Sequence, residues 1–347
     1  MKFPEKRCFP ITRTGIAIAG NIVVDTIKKI DAYPDMGMLA NVKSIERAVG
    51  GCVPNTLINL SRMQTGIPLT AIGRMGDDEG GRFILNRLSE SGADTRHIHI
   101  IPGGITGFSD VMTKITTGER AFFHCRGENA NFEPDEVPLE TLSCRILHTA
   151  YILLLDKFDE ADSEYGTKMA RYLKRAQDLG IETSIDVVSD KSGLFQEKVL
   201  PALKYADYAI MNEIEGCAAA GLEPRDENGA LIEENIKKAL ETFIEKGVRK
   251  RAVIHCPEAG YCLEPDGKYT RVATFKLPDG YIKGSVGAGD AFAAGCLAAI
   301  YEGADAKDML LIGAAAGAAN LSEADSISGM VSMTELKKRI SKWEMNV

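Results

Sequence analysis

The residues best placed to do chemistry lie in one short stretch, Lys283-Gly284-Ser285-Val286-Gly287-Ala288-Gly289-Asp290-Ala291-Phe292. A polar turn with two glycines runs into the apolar segment Ala291 to Ile300, which reads as a loop entering the N-terminus of a buried helix. Glycine lets the backbone turn sharply and lets a ligand approach the main chain. The first turn of a helix carries unpaired N–H donors at the positive end of its dipole, so this loop is an anion site, and phosphate is the usual anion. A carboxylate beside such a site is repelled by the ligand. Asp290 therefore reads in one of two ways. It is a general base that takes the proton of a hydroxyl attacking phosphorus, or it is a favourable acid in a first helical turn. Local physics leaves both open.

Other glycine motifs do not fit. A dinucleotide fingerprint would begin at Gly287 and Gly289, but Phe292 stands where its third glycine belongs, and no early βαβ unit surrounds it. This disfavours a nicotinamide oxidoreductase. The Walker loop GxxxxGK[ST] occurs nowhere in the chain, so a P-loop enzyme is excluded. Asp25 follows the apolar run Gly15 to Ala19, where open α/β sheets place ligand groups; a turn Asp is the plainer reading. Asn212-Glu213-Ile214-Glu215 closes another short apolar run and reads locally as a helix cap with an acidic first turn. The acids Asp77-Asp78-Glu79 read as the start of a helix over Arg82 to Ser91 rather than as a metal cluster. His255 is a lone histidine, a packing residue by default.

The elements that must position these residues follow from pattern and composition. The chain has 347 residues, 45% hydrophobic and 26% charged, an ordinary globular balance. Its net charge of −8 argues against nucleic-acid or membrane-surface partners. The basic run Lys246 to Arg251 reads as the solvated end of a helix before a buried strand. Eight cysteines form no CxxC pair, so a zinc site has no support and a reducing cytoplasm fits. The first fifteen residues lack the apolar core of a signal peptide, and no apolar run reaches the roughly 18 residues of a membrane helix. Short apolar strands at Gly15–Ala19, Leu69–Ile72, Ile146–Leu155, Ile181–Val188, Tyr208–Met211 and Ala252–His255 alternate with helical segments such as Lys168–Leu179 and Glu234–Glu245. That predicts an α/β fold with a mostly parallel sheet covered on both faces. The β-prone residues 27–47, and two runs near Phe108–Ile115 and Ala121–His124 joined by a turn at Thr116–Glu119, predict a small inserted sheet.

Gly287-Ala288-Gly289-Asp290-Ala291-Phe292 resembles the C-terminal signature of the ribokinase/PfkB sugar-kinase family. Further motifs follow in the family's order: Gly50-Gly51-Cys52-Val53-Pro54-Asn55, Gly76-Asp77-Asp78-Glu79-Gly80-Gly81, Arg126-Gly127-Glu128-Asn129-Ala130 and Asn212-x-x-Glu215. The resemblance spans about residues 15–335. It implies a three-layer α/β/α sandwich, one ribokinase-like domain over 1–347, with a β-sheet lid formed by about 27–47 and 104–127. It implies transfer of the γ-phosphoryl group of ATP to a sugar or sugar-like hydroxyl. Asp290 would be the base, with Gly287, Ala288 and Gly289 forming the anion hole. Asp25, Gly50, Gly51, Asn55 and Asn129 would hold the sugar. Asn212, His255, Gly260, Gly289 and Asn320 would bind ATP, and Glu215 would hold Mg2+ through water. A homodimer through the lid and a cytoplasmic location go with it.

Two departures stand out. Pro257 replaces a usual glycine in the nucleotide loop. Gly284-Ser285 replaces an Asp-Thr pair associated with a monovalent cation, which leaves that cation in doubt. Same-superfamily nucleoside phosphorylation and a non-catalytic sugar sensor are the alternatives. Phe108, Phe122 and Phe123 are the few aromatics near the lid able to stack on a base, and the retained Asp290 disfavours the sensor.

Overall fold

The computed structural model describes residues 12–189 and 192–346; most of the segment in which the sequence predicts no signal peptide lies outside them. Along the chain, β1 (Ile16–Ala19) leads to β2 (Val23–Ile30), β3 (Val42–Gly50), α1 (Cys52–Arg62), β4 (Leu69–Gly76), α2 (Glu79–Glu90) and β5 (Asp94–Ile101). Next come β6 (Gly107–Lys114), β7 (Arg120–Cys125), β8 (Ile146–Ile152) and the two-residue pair β9 (Ala161–Asp162) and β10 (Gly166–Thr167). The second half runs α3 (Lys168–Asp178), β11 (Glu182–Val187), α4 (Phe195–Leu203), β12 (Tyr208–Asn212), α5 (Glu213–Ala220), α6 (Glu233–Lys246) and β13 (Arg251–His255). It ends with β14 (Ala259–Leu263), β15 (Tyr269–Ala273), α7 (Ala288–Tyr301), α8 (Ala306–Asn320) and α9 (Met333–Ile340).

The main sheet has nine strands in the order β15-β14-β13-β12-β11-β8-β1-β4-β5. From β5 to β13 neighbouring strands are parallel. Side chains of β1 alternate between two cores. Ile16 and Ile18 pack with Leu57 of α1, Ala298 of α7 and Leu310 of α8. Ala17 and Ala19 pack with Leu173 of α3, Val199 of α4 and Leu240 of α6. Strands buried on both faces are what the continuous apolar runs demand, and the result is the α/β/α sandwich expected.

The antiparallel edge is a difference. Only three residues separate β13 from β14, too few for a crossover, so the chain makes a hairpin. β5, the β14–β15 pair, α4 and α9 were not predicted. α8 starts at Ala306, because Asp305 caps it by accepting from Asp308 N–H at 2.9 Å. Asp78 caps α2 in the same way, taking the N–H of Gly81 at 2.7 Å. The basic run before β13 is ion-paired: Arg249 with Asp207, Lys250 with Glu182, Arg251 with Glu264.

A second sheet, β3-β2-β6-β7, rises from the end of β1. β2 is parallel to β6, and the β2–β3 and β6–β7 pairs are antiparallel. Its strands are longer than the predicted ones, because the pairing begins at Val23 opposite Gly50. Asp25 thus sits inside this sheet rather than in the turn after β1. Phe122 and Phe123 of β7 stand largely exposed. Among the described residues, no helix is long and apolar enough to cross a membrane.

Candidate active site

Parallel strands end together, and their carboxyl ends are where this chain gathers its polar residues. Asn21 follows β1, Tyr151 closes β8, Asp186 closes β11, Asn212 closes β12 and His255 closes β13. α7 points its N-terminus at the same edge. Gly287 caps it in the left-handed region, φ 73°, and a Cβ there would lie 2.4 Å from the Cβ of Ser326, so glycine is required twice over. Ala288 N–H is tied to Ser285 O at 3.3 Å. The N–H groups of Gly289 and Asp290 fall in the first turn, which has no intrahelical acceptors to offer them. The loop is braced from behind: Asn320 Nδ2 donates to Val286 O at 2.8 Å, and Lys283 N–H to Leu321 O at 2.9 Å.

Asp290 is 5% exposed. Its Oδ2 accepts from Asn55 Nδ2 at 2.9 Å and from Tyr151 hydroxyl at 2.9 Å. Burial pushes its carboxyl up, and these two donors pull it down. Asn55 is oriented in turn, because its Oδ1 accepts from Ser326 Oγ at 2.7 Å. Asn55 therefore faces the base as much as a substrate.

Asp25 projects from β2 toward the same edge. Burial, and secondarily the charge of Asp290, raise it to about 6, against a hydrogen bond from Ser109. Gly50 is what admits it, since a Cβ on Gly50 would lie 2.5 Å from Asp25 Oδ2. Gly51, φ 82°, starts α1 against the carbonyl of Asn21. Asn129 is fully buried, and its amide pairs both groups of Ile22: Oδ1 takes the N–H and Nδ2 gives to the carbonyl, each at 2.9 Å. Through these two bonds Asn129 fixes the start of the strand that carries Asp25. Glu128, the residue before Asn129, pairs with Arg74 at 2.7 Å. Between the small sheet and the 324–326 loop lies a space of about 20 Å³ lined by Asp25, Ile27, Val111, Phe122 and Ser326.

On the other side of α7 opens a cavity of about 560 Å³ whose wall includes Asn212, His255, Pro257, Ser285 and Gly289. His255 stacks on Phe292, centroids 4.4 Å apart, and burial pushes it down to about 4, so it is a neutral wall. Gly260 and Asn320, expected among the nucleotide contacts, do not line it. Gly260 lies in β14 facing Phe292 and Leu310, where a larger residue would press on the helix layer. Asn320 Nδ2 braces Val286, and its buried Oδ1 has no hydrogen-bond partner among the described residues.

Asn212 caps α5: its Oδ1 takes Glu215 N–H at 2.9 Å, and Glu215 Oε2 takes Asn212 N–H at 3.1 Å. Glu215 Oε1 accepts from Ser189 Oγ at 2.7 Å. Glu215, at about 7, and Asp186 are both raised, first by burial and then by neighbouring carboxylates. Adjacent buried carboxylates that show no cationic partner among the described residues suit a divalent cation held through water, the mode magnesium favours. Tyr151, Ser326 and Ser189 were not predicted. Ser326 lies 271 residues from Asn55, and no spacing rule links them.

Comparison with known proteins agrees with this geometry. Residues 14–333 match the family model described as pfkB family carbohydrate kinase. The chain is 25% identical to an ATP-dependent ribose-1-phosphate kinase of Halopiger xanaduensis, over 86% of this chain and 89% of that protein. It superposes on Arabidopsis thaliana ribokinase complexed with ribose and ATP with a TM-score of 0.77 at 18% identity, covering 94% and 99% of the two chains. The archaeal nucleoside kinase of Methanocaldococcus jannaschii gives a TM-score of 0.74 at 17% identity, covering 95% and 99%. At those identities the structures speak to the fold.

Proposed function

The chain belongs to the pfkB family of carbohydrate kinases, phosphotransferases with a hydroxyl acceptor, and from that premise we propose that it moves the γ-phosphoryl group of ATP to a sugar hydroxyl with Asp290 as general base. The observation that carries the reading is the junction at Asp290. One oxygen of a buried carboxylate is held by two donors, in the first turn of a helix whose Ala288 and Gly289 wall a nucleotide-sized cavity. Phosphoryl transfer asks mainly for positioning and charge stabilisation. Asp25 and the Gly50-Gly51 backbone hold the sugar, and Asp290 accepts its hydroxyl proton as the oxygen attacks. The N–H groups of Gly289 and Asp290 face the charge spreading over the transferred group, and such preorganised donors contribute a few kcal/mol each. Glu215, with Asp186 beside it, would hold magnesium through water. Bound there, the ion would offset the triphosphate charge.

The space under the small sheet, about 20 Å³, has room for about one water and not for a sugar. In this reading the sheet is a lid that lifts to admit a substrate and closes to exclude water. A nucleoside acceptor is the second reading, favoured by Phe122, which is 59% exposed beside Asp25 and free to stack on a base.

The test is ADP release from Mg-ATP against pentoses, hexoses, phosphorylated sugars, sugar acids and nucleosides, with and without potassium. One strong sugar acceptor supports the first reading and a nucleoside the second. ATP binding with no turnover on any acceptor overturns both.

A further inference from the structure

β8 ends in an unusual backbone. Tyr151 and Leu153, neither of them glycine, have φ of 65° and 82°. Left-handed values are costly for residues with a Cβ, and they persist only where surrounding contacts impose them. Here the contacts are explicit. Asp159 Oδ2 accepts Leu153 N–H at 2.9 Å. Arg126 donates through both Nη1 and Nη2 to Leu153 O at 3.3 Å, and is itself held by Asp156 at 2.6 Å. Tyr151 O accepts Leu154 N–H at 2.9 Å. What the turn delivers is the Tyr151 hydroxyl, which donates to Asp290 Oδ2 at 2.9 Å.

We infer that Tyr151 is a positioning residue for the base, which with Asn55 holds Asp290 Oδ2 as an ionised acceptor and so makes Oδ1 the oxygen that takes the substrate's proton. This rests on the kinase reading for its role in catalysis but not for its geometry. The groups around Asp290 show why two donors are needed. Cys52 and Asn55 face it from α1, Tyr151 from the end of β8, Asp186 from β11, Glu215 from α5 and Asp25 from β2. Three of these are carboxylates and one is a buried thiol, and none of the four favours a charged Asp290. Asn55 and Tyr151 are the described side chains that hydrogen-bond the anion, adding to its place in the first turn of α7. Arg126 acts here on the Leu153 carbonyl.

The experiment follows the Asp290 carboxyl by 13C NMR in protein labelled with carboxyl-13C aspartate, its resonance assigned by its loss in Asp290→Asn. Wild type is compared with Tyr151→Phe and with 3-fluorotyrosine introduced at position 151 alone. Tyr151→Phe removes one charge-assisted donor, so the titration moves up by about one pH unit. Fluorotyrosine is the stronger donor, so the titration moves down. Opposite shifts do not arise from general loosening of the fold, and the fluorinated protein keeps the native shape if the Phe variant fails to fold. With any acceptor that turns over, the acid limb of kcat moves in step, and kcat of Tyr151→Phe falls about tenfold at the acid end and recovers at high pH. A titration that stays put in both variants overturns the proposal. Shifts as expected, with no acceptor ever found, would leave the positioning intact and count against the kinase reading instead.

Discussion

Asp290 draws its value from what surrounds it. A carboxylate this buried would hold its proton unless donors stabilised the anion, and Asn55 and Tyr151 supply them. Asp290→Asn keeps the size and the hydrogen-bonding outline but cannot accept the proton. Turnover should fall by about 10²–10⁴-fold while ATP binding, read by calorimetry, stays near wild type; turnover equal to wild type would remove Asp290 as the base. Asp25 gives a separate signal. Burial raises it to about 6, so it is ionised above that pH and protonated below. A carboxylate accepts hydroxyl hydrogen bonds better than its acid does. KM for the sugar should therefore rise as pH falls through about 6, with KM for ATP unchanged, in initial-rate measurements between pH 5 and 8.

At the scale of elements, the site depends on how closely loops and helices approach. Gly287 combines a left-handed φ with a contact to Ser326 that leaves no room for a side chain. Gly287→Ala should cost about 1–2 kcal/mol of stability from the backbone alone. It should lower kcat by displacing the N–H groups of the turn, both checked by urea denaturation and steady-state kinetics. The small sheet behaves differently. It buries Asp25 between β3 and β6 through long pairings while leaving apolar side chains such as Phe122 in solvent.

At the scale of the molecule, buried ionisable groups set opposing pH dependences. His148 and His255 are buried neutral, held down to about 3 and about 4. Unfolding lets them bind protons below their free value near 6.5, so stability falls as pH drops below that. Glu215 and Asp159 are raised to about 7, mainly by burial. Folding keeps protons on them that the unfolded chain has lost, so stability falls as pH rises from about 4.5 to 7 and levels off above it. Between pH 6.5 and 8 each acid should cost the protein without magnesium about 1 kcal/mol, offset by about 0.4 kcal/mol for each histidine, whose unfolded form is still losing its proton near 6.5. Chemical denaturation across that window tests this. Asp159→Asn, which can still accept from Leu153 N–H, should flatten its share, and an unchanged slope would show that Asp159 does not carry the proton.

The sequence alone determined the kind of fold and the glycine turn that opens α7. Apolar runs of strand length separated by helices can bury both faces only in a covered parallel sheet, and the Gly287–Asp290 turn places N–H donors and a carboxylate by local chain geometry. The cap pair Asn212 and Glu215 was legible for the same reason, since its partners are three residues apart. Tertiary structure decided whatever depended on partners far along the chain. Gly260 lies against Phe292 and Leu310, Asn320 braces Val286 and Asn129 clasps Ile22, contacts that no local spacing foretells. The left-handed turn that aims Tyr151 leaves no mark in the sequence, because a strained φ at a residue with a side chain is imposed by contacts, here Asp159 and Arg126, and not by the residue's own preference.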